Sequence, residues 1–153
     1  MPVDITIRTR DLGAARNVAR MLARVSNLRP VTRAIGEAGL TSIQRNFEEG
    51  GRPVKWKPLA ASTIRQRKRQ GNWPGQILMR RGAGGGLLGS IFYKAYSTKT
   101  VWTARKVYAA IHHFGGKAGR GHKAQIPARP HMLFQREDRE EFIDIVRDYV
   151  FQR

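Results

Sequence analysis

Hydrophobic and polar positions along this chain follow two periods, and each change of period marks an element. Val3, Ile5 and Ile7 alternate with Asp4, Thr6 and Arg8, the spacing of a short half-buried strand. From Leu12 to about Val25 the period lengthens: Ala14, Val18, Met21, Leu22 and Val25 share one side of a helix and Arg16, Arg20 and Arg24 another. A second helix is expected from a cap at Asn27, with Pro30 in its first turn. Val31, Ile35, Ala38, Ile43 and Phe47 carry its apolar side until Gly50 and Gly51 end it. The segment GRPVKWKP, Gly51 to Pro58, reads as an extended loop fixed by a buried indole at Trp56. A short helix from Ala61 or Ser62 to Gln70 follows, then glycine-bearing connections at Gly71–Gly75 and Gly82–Gly86.

In the second half, Leu87–Tyr96 and Thr100–Ala104 are rich in aromatic and β-branched residues around Ser97-Thr98-Lys99, the pattern of an antiparallel hairpin. Val107–Phe114 suits either a strand or one helical turn. Gly115–Gln125 reads as an exposed loop, and Ile126–Pro130 as extended chain. Asp138 with Glu141 has the form of a capping box before a terminal helix with Phe142, Ile145, Val146 and Tyr149 on its apolar face. The expected fold is therefore α+β: N-terminal amphipathic helices packed on a small antiparallel sheet, with a C-terminal helix and long basic loops. One domain over residues 1–153 is expected, since this length supports a single core. Its mobile loops should lie near 71–86 and 115–127.

Charge is the dominant feature of the composition. The net charge is +18 and the sequence pI is about 11.5, so the surface attracts anions. Five acids lie at Asp4, Asp11, Glu37, Glu48 and Glu49, six at Glu137, Asp138, Glu140, Glu141, Asp144 and Asp148, and none between Gly50 and Arg136. Identical copies so charged repel unless each cationic middle meets nucleic acid, an acidic partner protein or the acidic end of a neighbour. No apolar run reaches the roughly 20 residues of a membrane span. The start also lacks an apolar signal core, so a soluble, unexported protein without membrane contact is expected. With 0 cysteines there are no disulfides or thiolate metal sites, consistent with a reducing compartment.

The order of short motifs carries a family resemblance. Phe47, then Gly51-Arg52-Pro53-Val54-Lys55-Trp56-Lys57-Pro58-Leu59 with Ser62-Thr63, then Ile77-Leu78 and Leu87–Ile91, open it. Tyr108-Ala109-Ala110-Ile111-His112-His113-Phe114-Gly115-Gly116 and Ala128-Arg129-Pro130-His131-Met132-Leu133 complete it. Together they resemble the phage virion morphogenesis family, which includes the tail completion proteins of phage Mu and relatives. Val54 stands where an acidic or small residue is usual, and the run Gly82–Gly86 loosens one stretch. The resemblance implies an α+β subunit of a homo-oligomeric ring at the head-proximal tail end or neck, in contact with other tail or neck proteins. It places the chain in the virion, and in the host cytoplasm during assembly, with no catalysis and no cofactor. The proline-flanked loops then become candidate interface elements, with Trp56 and Arg129 as anchors of the types enriched at hot spots. Pro58, Leu59, Tyr108, His112, Gly115 and Pro130 complete that candidate set.

Other chemistry is weaker. His112 and His113 are adjacent and diverge on either a strand or a helix, and His122 and His131 have no nearby acid or cysteine, so hydrogen bonding outranks metal binding. Nuclease or glycosidase chemistry needs paired carboxylates, which the middle lacks. Ser90 lies in no glycine elbow that would make it a nucleophile. The glycine run lacks the spacing of a phosphate loop. Trp56, Trp73 and Trp102 suit core or interface anchoring better than base stacking. Arg65, Arg67, Lys68 and Arg69, joined by Arg80 and Arg81 and by Lys117, Arg120 and Lys123, form basic runs that are candidate contacts to DNA phosphates or an acidic neighbour. Non-specific nucleic-acid binding is therefore the alternative to a structural role.

Overall fold

The computed structural model describes residues 12–79 and 86–151. The strand expected at Val3–Ile7, most of the glycine run, Arg80 and Arg81 lie outside them. Within these limits run α1 (Leu12–Val25), α2 (Arg29–Glu48), α3 (Ala61–Arg69), β1 (Ile91–Ala95), β2 (Thr100–Ala104), α4 (Ala109–Phe114), β3 (Gly116–Ala118), β4 (Ala124–Ile126) and α5 (Arg136–Phe151). The arrangement is α+β: β1 pairs antiparallel with β2, β3 with β4, and both β1–β2 and α5 pack on α2. Among the described residues no helix is long and apolar enough to cross a membrane.

The start of α2 differs from the capped one expected. Leu28 occupies the cap position without a side-chain bond, and Pro30, with its φ already set, falls in the first turn. Asn27 serves through its carbonyl instead, accepting the Tyr149 hydroxyl of α5 at 2.8 Å. The buried side of α2 also differs. Val31, Ile43 and Phe47 are buried, but Thr32, Gly36, Gly39, Ser42 and Asn46 form an adjacent buried line of small and polar residues. The reason is close approach: Tyr93 and Trp102, cross-strand partners on the β1–β2 hairpin, lie flat against the two glycines. A methyl group at Gly39 would stand 2.4 Å from the Trp102 ring. Trp102 Nε1 donates to the Gly36 carbonyl at 3.1 Å, and Thr32 Oγ1 to the Tyr96 carbonyl at 2.7 Å, so the hairpin is pinned at both ends of the contact.

The core gathers Ile43, Phe47, Trp56, Leu87, Ile91 and Ala109, with Leu40, Ile77, Leu78 and Met132 against them. Trp102, Phe134 and Phe142 form an aromatic group joining the hairpin to α5, with ring centres 4.7 Å (Trp102–Phe134) and 5.3 Å (Phe134–Phe142) apart. Val107–Phe114 resolves as the short helix α4. The exposed loop expected over Gly115–Gln125 is instead the β3–β4 hairpin around a turn at Arg120–His122. Positive φ at Gly119 and Gly121 makes that turn, so its glycines serve pairing. In α5, Asp138 is the third helical residue and not the cap: its carboxylate reaches back to the Gln135 backbone N–H at 2.7 Å. Phe142, Ile145 and Tyr149 face inward as expected, whereas Val146 is exposed.

Candidate functional site

The two proline-flanked loops, 51–59 and 128–133, are bonded to each other. Trp56 is 6% exposed, meets Phe47 edge to face at 5.7 Å, and donates from Nε1 to the Pro130 carbonyl at 3.1 Å. Arg129, 5% exposed, reaches the other way: Nη2 donates to the carbonyls of Lys57 and Pro58 at 2.9 and 3.3 Å. Its backbone N–H donates to the His112 carbonyl at 2.8 Å, which ties the second loop to α4. That path runs so close to Gly115, at φ 76°, that a Cβ there would stand 2.7 Å from the Ala128 nitrogen. Both anchors therefore face into the chain, and what they present outward is the path of the loops.

The loops wall one cleft of about 890 Å³, into which Pro58, Leu59, Tyr108, His112 and Arg129 all face. Lys57, Thr63, Gln66, Arg67, Leu78, Leu87 and the segment Gln125–Pro127 complete much of its lining, and no carboxylate is among the described residues lining it. Of the expected interface residues, Trp56, Gly115 and Pro130 brace these walls. The basic run of α3 is split. Arg65, Lys68 and Arg69 are exposed, while Arg67 is 6% exposed, lines the cleft and donates to the Gln76 carbonyl at 2.8 Å. Lys117, Arg120 and Lys123 are exposed on the β3–β4 hairpin. Burial, and then the charge of Arg67, pushes the Arg129 guanidinium below its ordinary pKa. Burial and then Arg129 likewise lower His112, which favours a neutral imidazole beside two cations.

His131 and His113 are structural in placement, while His122 sits exposed in the β3–β4 turn. His131 is fully buried; its Nδ1 lies 3.1 Å from the Arg129 carbonyl, and its pKa falls to about 4, chiefly through burial. His113 Nδ1 faces the backbone N–H groups of His131 and Met132 at 3.4 and 3.5 Å. Ser90 Oγ donates to the Leu87 carbonyl at 2.7 Å. Among the described residues, no three His, Cys, Asp or Glu side chains are placed to hold a metal ion.

Arg52 was not singled out by the sequence, although the loop motif contains it. Its Nε donates to Asn46 Oδ1 at 2.9 Å, and Nη2 to Ser42 Oγ and Asp138 Oδ2 at 2.8 and 3.2 Å. Asn46 passes the connection on, donating to the carbonyls of His131 and Leu133 at 3.1 and 2.8 Å. One buried polar network thus joins α2, both loops and the start of α5. Burial alone would raise the Asp138 carboxyl, but bonds from Ser42, the Gln135 N–H and Arg52 hold it below the ordinary carboxylate range.

The motifs that build this assembly of loops match a known family model, that of the phage virion morphogenesis family, over residues 11–151. The chain belongs to that family. Two relatives agree with the assignment. The chain is 34% identical over 130 residues to a protein of Haemophilus influenzae named Mu-like prophage FluMu G protein 2, covering 85% of this chain and 83% of that one. It is 29% identical over 150 residues to the putative capsid assembly protein G of Escherichia phage Mu, covering 92% and 94%. No solved structure matches. Family membership makes this a protein of phage virion assembly, and the rigid pair of loops lies within the matched span.

Proposed function

We propose that this chain is a structural subunit that completes the phage tail and joins it at the neck to the head, working as a homo-oligomeric ring and catalysing no reaction. The observation that carries the reading is the mutual clamping of the loops 51–59 and 128–133 through Trp56 and Arg129. Such bonding fixes a ledge of exposed Pro58 and half-exposed Leu59 beside a cationic cleft. A preorganised ledge suits a contact made once and kept, because little entropy is lost on docking. On this reading the buried anchors set the loop positions, while Pro58, Leu59 and Tyr108 make the contact with neighbouring tail or neck proteins.

The name of the phage Mu relative speaks of capsid assembly, which favours a second reading, an earlier role in building the head. Electron microscopy of lysates from phage lacking this chain separates the two. Complete heads beside complete but unjoined tails are expected for tail completion. Absent or malformed heads would replace it with the capsid role.

Non-specific DNA binding is the rival from another class, motivated by the exposed cations of α3 and the β3–β4 hairpin. A salt titration of binding to random duplex DNA decides it. Tight binding by a lone subunit, with log K falling by about 0.9 per phosphate neutralised for each tenfold rise in salt, favours that rival.

A further inference from the structure

An exposed apolar ridge lies on α1, none of whose described residues line the cleft. Of the α1 side chains described, only Met21 and Arg24 are even half-buried. Val18, Leu22 and Val25 stand 54, 66 and 50% exposed at spacings of four and three residues, forming one ridge beside Met21. A 14-residue helix is marginal in water by itself. The contacts of α1 run to α5, where Arg24 Nη1 donates to the Val150 carbonyl at 3.0 Å. Val18, Leu22 and Val25 nevertheless keep half or more of their surface exposed. It is bordered by Arg16, Arg20 and Arg24, with no acid on the helix.

We propose that this ridge is a contact between copies, in which α1 of one copy seats on the outer flank of α5 of the next. Complementary charge and apolar character favour this seating, which rests on the ring proposed above. The flank of α5 carries exposed Ile143 (56%) and Val146 (38%) beside a face of Glu137, Glu140, Glu141, Asp144 and Asp148. Because no acid occurs between Gly50 and Arg136, a cationic apolar ridge has few complementary surfaces on another copy. Elsewhere among the described residues the acids are engaged: Glu37 pairs with Arg33, Glu49 with Lys55, and Glu48 accepts from Gln44. On α5, Glu137, Glu140 and Asp144 are paired with Arg52, Arg136 and Arg147, while the carboxylates of Glu141 and Asp148 make no bond to a described residue. Opposite charges meeting there would also offset the repulsion between copies of charge +18. When each copy gives α1 to one neighbour and receives α1 of another on α5, the contact is head to tail, and it closes into a ring when its rotation divides a full turn.

The absence of cysteine provides a clean test on the full-length protein. Val18→Cys with Ile143→Cys in one chain, oxidised with copper-phenanthroline and run without reductant, should give a ladder of covalent dimer, trimer and higher species. Each single variant should stay monomeric on the gel. Cross-linking by Val18→Cys alone, which would mean ridge against ridge, overturns the proposal, as does a purely intramolecular link in the double variant.

Charge reversal gives the second arm, read by light scattering with circular dichroism to confirm folding. Arg20→Glu or Glu141→Arg alone should raise the half-assembly concentration about tenfold or more, and the two together in one chain should recover most of it. Folded single variants that assemble like the parent would place something else on the ridge, such as the first 11 residues of the chain or another virion protein, and would refute the contact. Loss of the ladder with normal head–tail joining in lysates would sink this contact while leaving the tail-completion reading intact.

Discussion

Replacing Arg52 by alanine tests whether the buried polar network, more than the apolar core, holds the two loops to the helices. Its guanidinium side chain is 10% exposed and its partner Asp138 is 1% exposed. Removal leaves Asn46 Oδ1 and the Ser42 hydroxyl without the Arg52 donor and takes one of the donors from Asp138 Oδ2. Oδ1 of Asp138 already lacks a partner among the described residues, so the carboxylate would keep only the Gln135 N–H and Ser42. Breaking a buried pair in this way costs about 3–5 kcal/mol. The Glu137 contact adds little, since at 3.6 Å it involves a side chain 64% exposed. Urea denaturation at neutral pH measures the loss. A second signature follows from the sign of the Asp138 shift: a carboxyl held low stabilises the fold above its unfolded pKa, and that stability is lost as pH falls through the folded value. Without Arg52 the folded value rises, so acid unfolding should begin at higher pH than in the parent. Asp138→Asn should cost less in the Arg52→Met background than alone, by about 1–3 kcal/mol. A loss below about 1 kcal/mol for Arg52→Ala, or strict additivity of the pair, would refute the network.

Five further outcomes are expected. Trp56→Ala should destabilise by about 3–5 kcal/mol through cavity formation, visible as a lowered urea midpoint, whereas Leu59→Asp should keep the fold by circular dichroism yet lower the yield of joined particles. Gly39→Ala should destabilise by about 1–3 kcal/mol, because Trp102 is held by Phe134, Phe142 and the Gly36 carbonyl and cannot retreat. Gly36→Ala should destabilise by a similar amount, since a Cβ there would stand 2.2 Å from the Tyr93 ring, and about 1 kcal/mol of helix preference offsets part of either cost; a stabilising substitution at either glycine would contradict this. Stability should fall as pH drops from about 6.5 towards 4, because His131 is neutral in the fold with a pKa of about 4 and titrates near 6.5 when unfolded. The difference is worth at most about 3 kcal/mol, with His112 and His113 lowered in the same direction. A melting temperature that stays level across that range would contradict it.

Much of the fold was legible because large apolar residues recur with the period of the element that carries them. The span Leu12–Val25, the hairpin around Ser97–Lys99, the short helix before Gln70 and the inward side of α5 all follow from period and turn chemistry. The buried line of α2 did not, because close packing there demands small residues: Gly36 and Gly39 carry no hydropathy signal, and their reason is two rings some 57 and 63 residues away in the chain. The β3–β4 hairpin was hidden by its glycines and cations, which read as loop until pairing is known. At the site, the loops and their anchors could be named from proline, tryptophan and arginine, but their inward direction could not. Arg67 looked like one more member of a solvated run, and only the fold turns it into the cleft. Arg52 was hidden for the same reason: its carboxylate partner is 86 residues distant, beyond any local pattern.

The most direct test of the assembly role is reconstitution. Lysate from phage lacking this chain is supplemented with the purified protein, and joined, infectious particles are counted by plaque assay and electron microscopy. The account predicts that preformed heads and tails join and that titre rises with added protein, with Leu59→Asp markedly less effective. Heads and tails that stay separate at every concentration, or a lysate without heads to be joined, would contradict it.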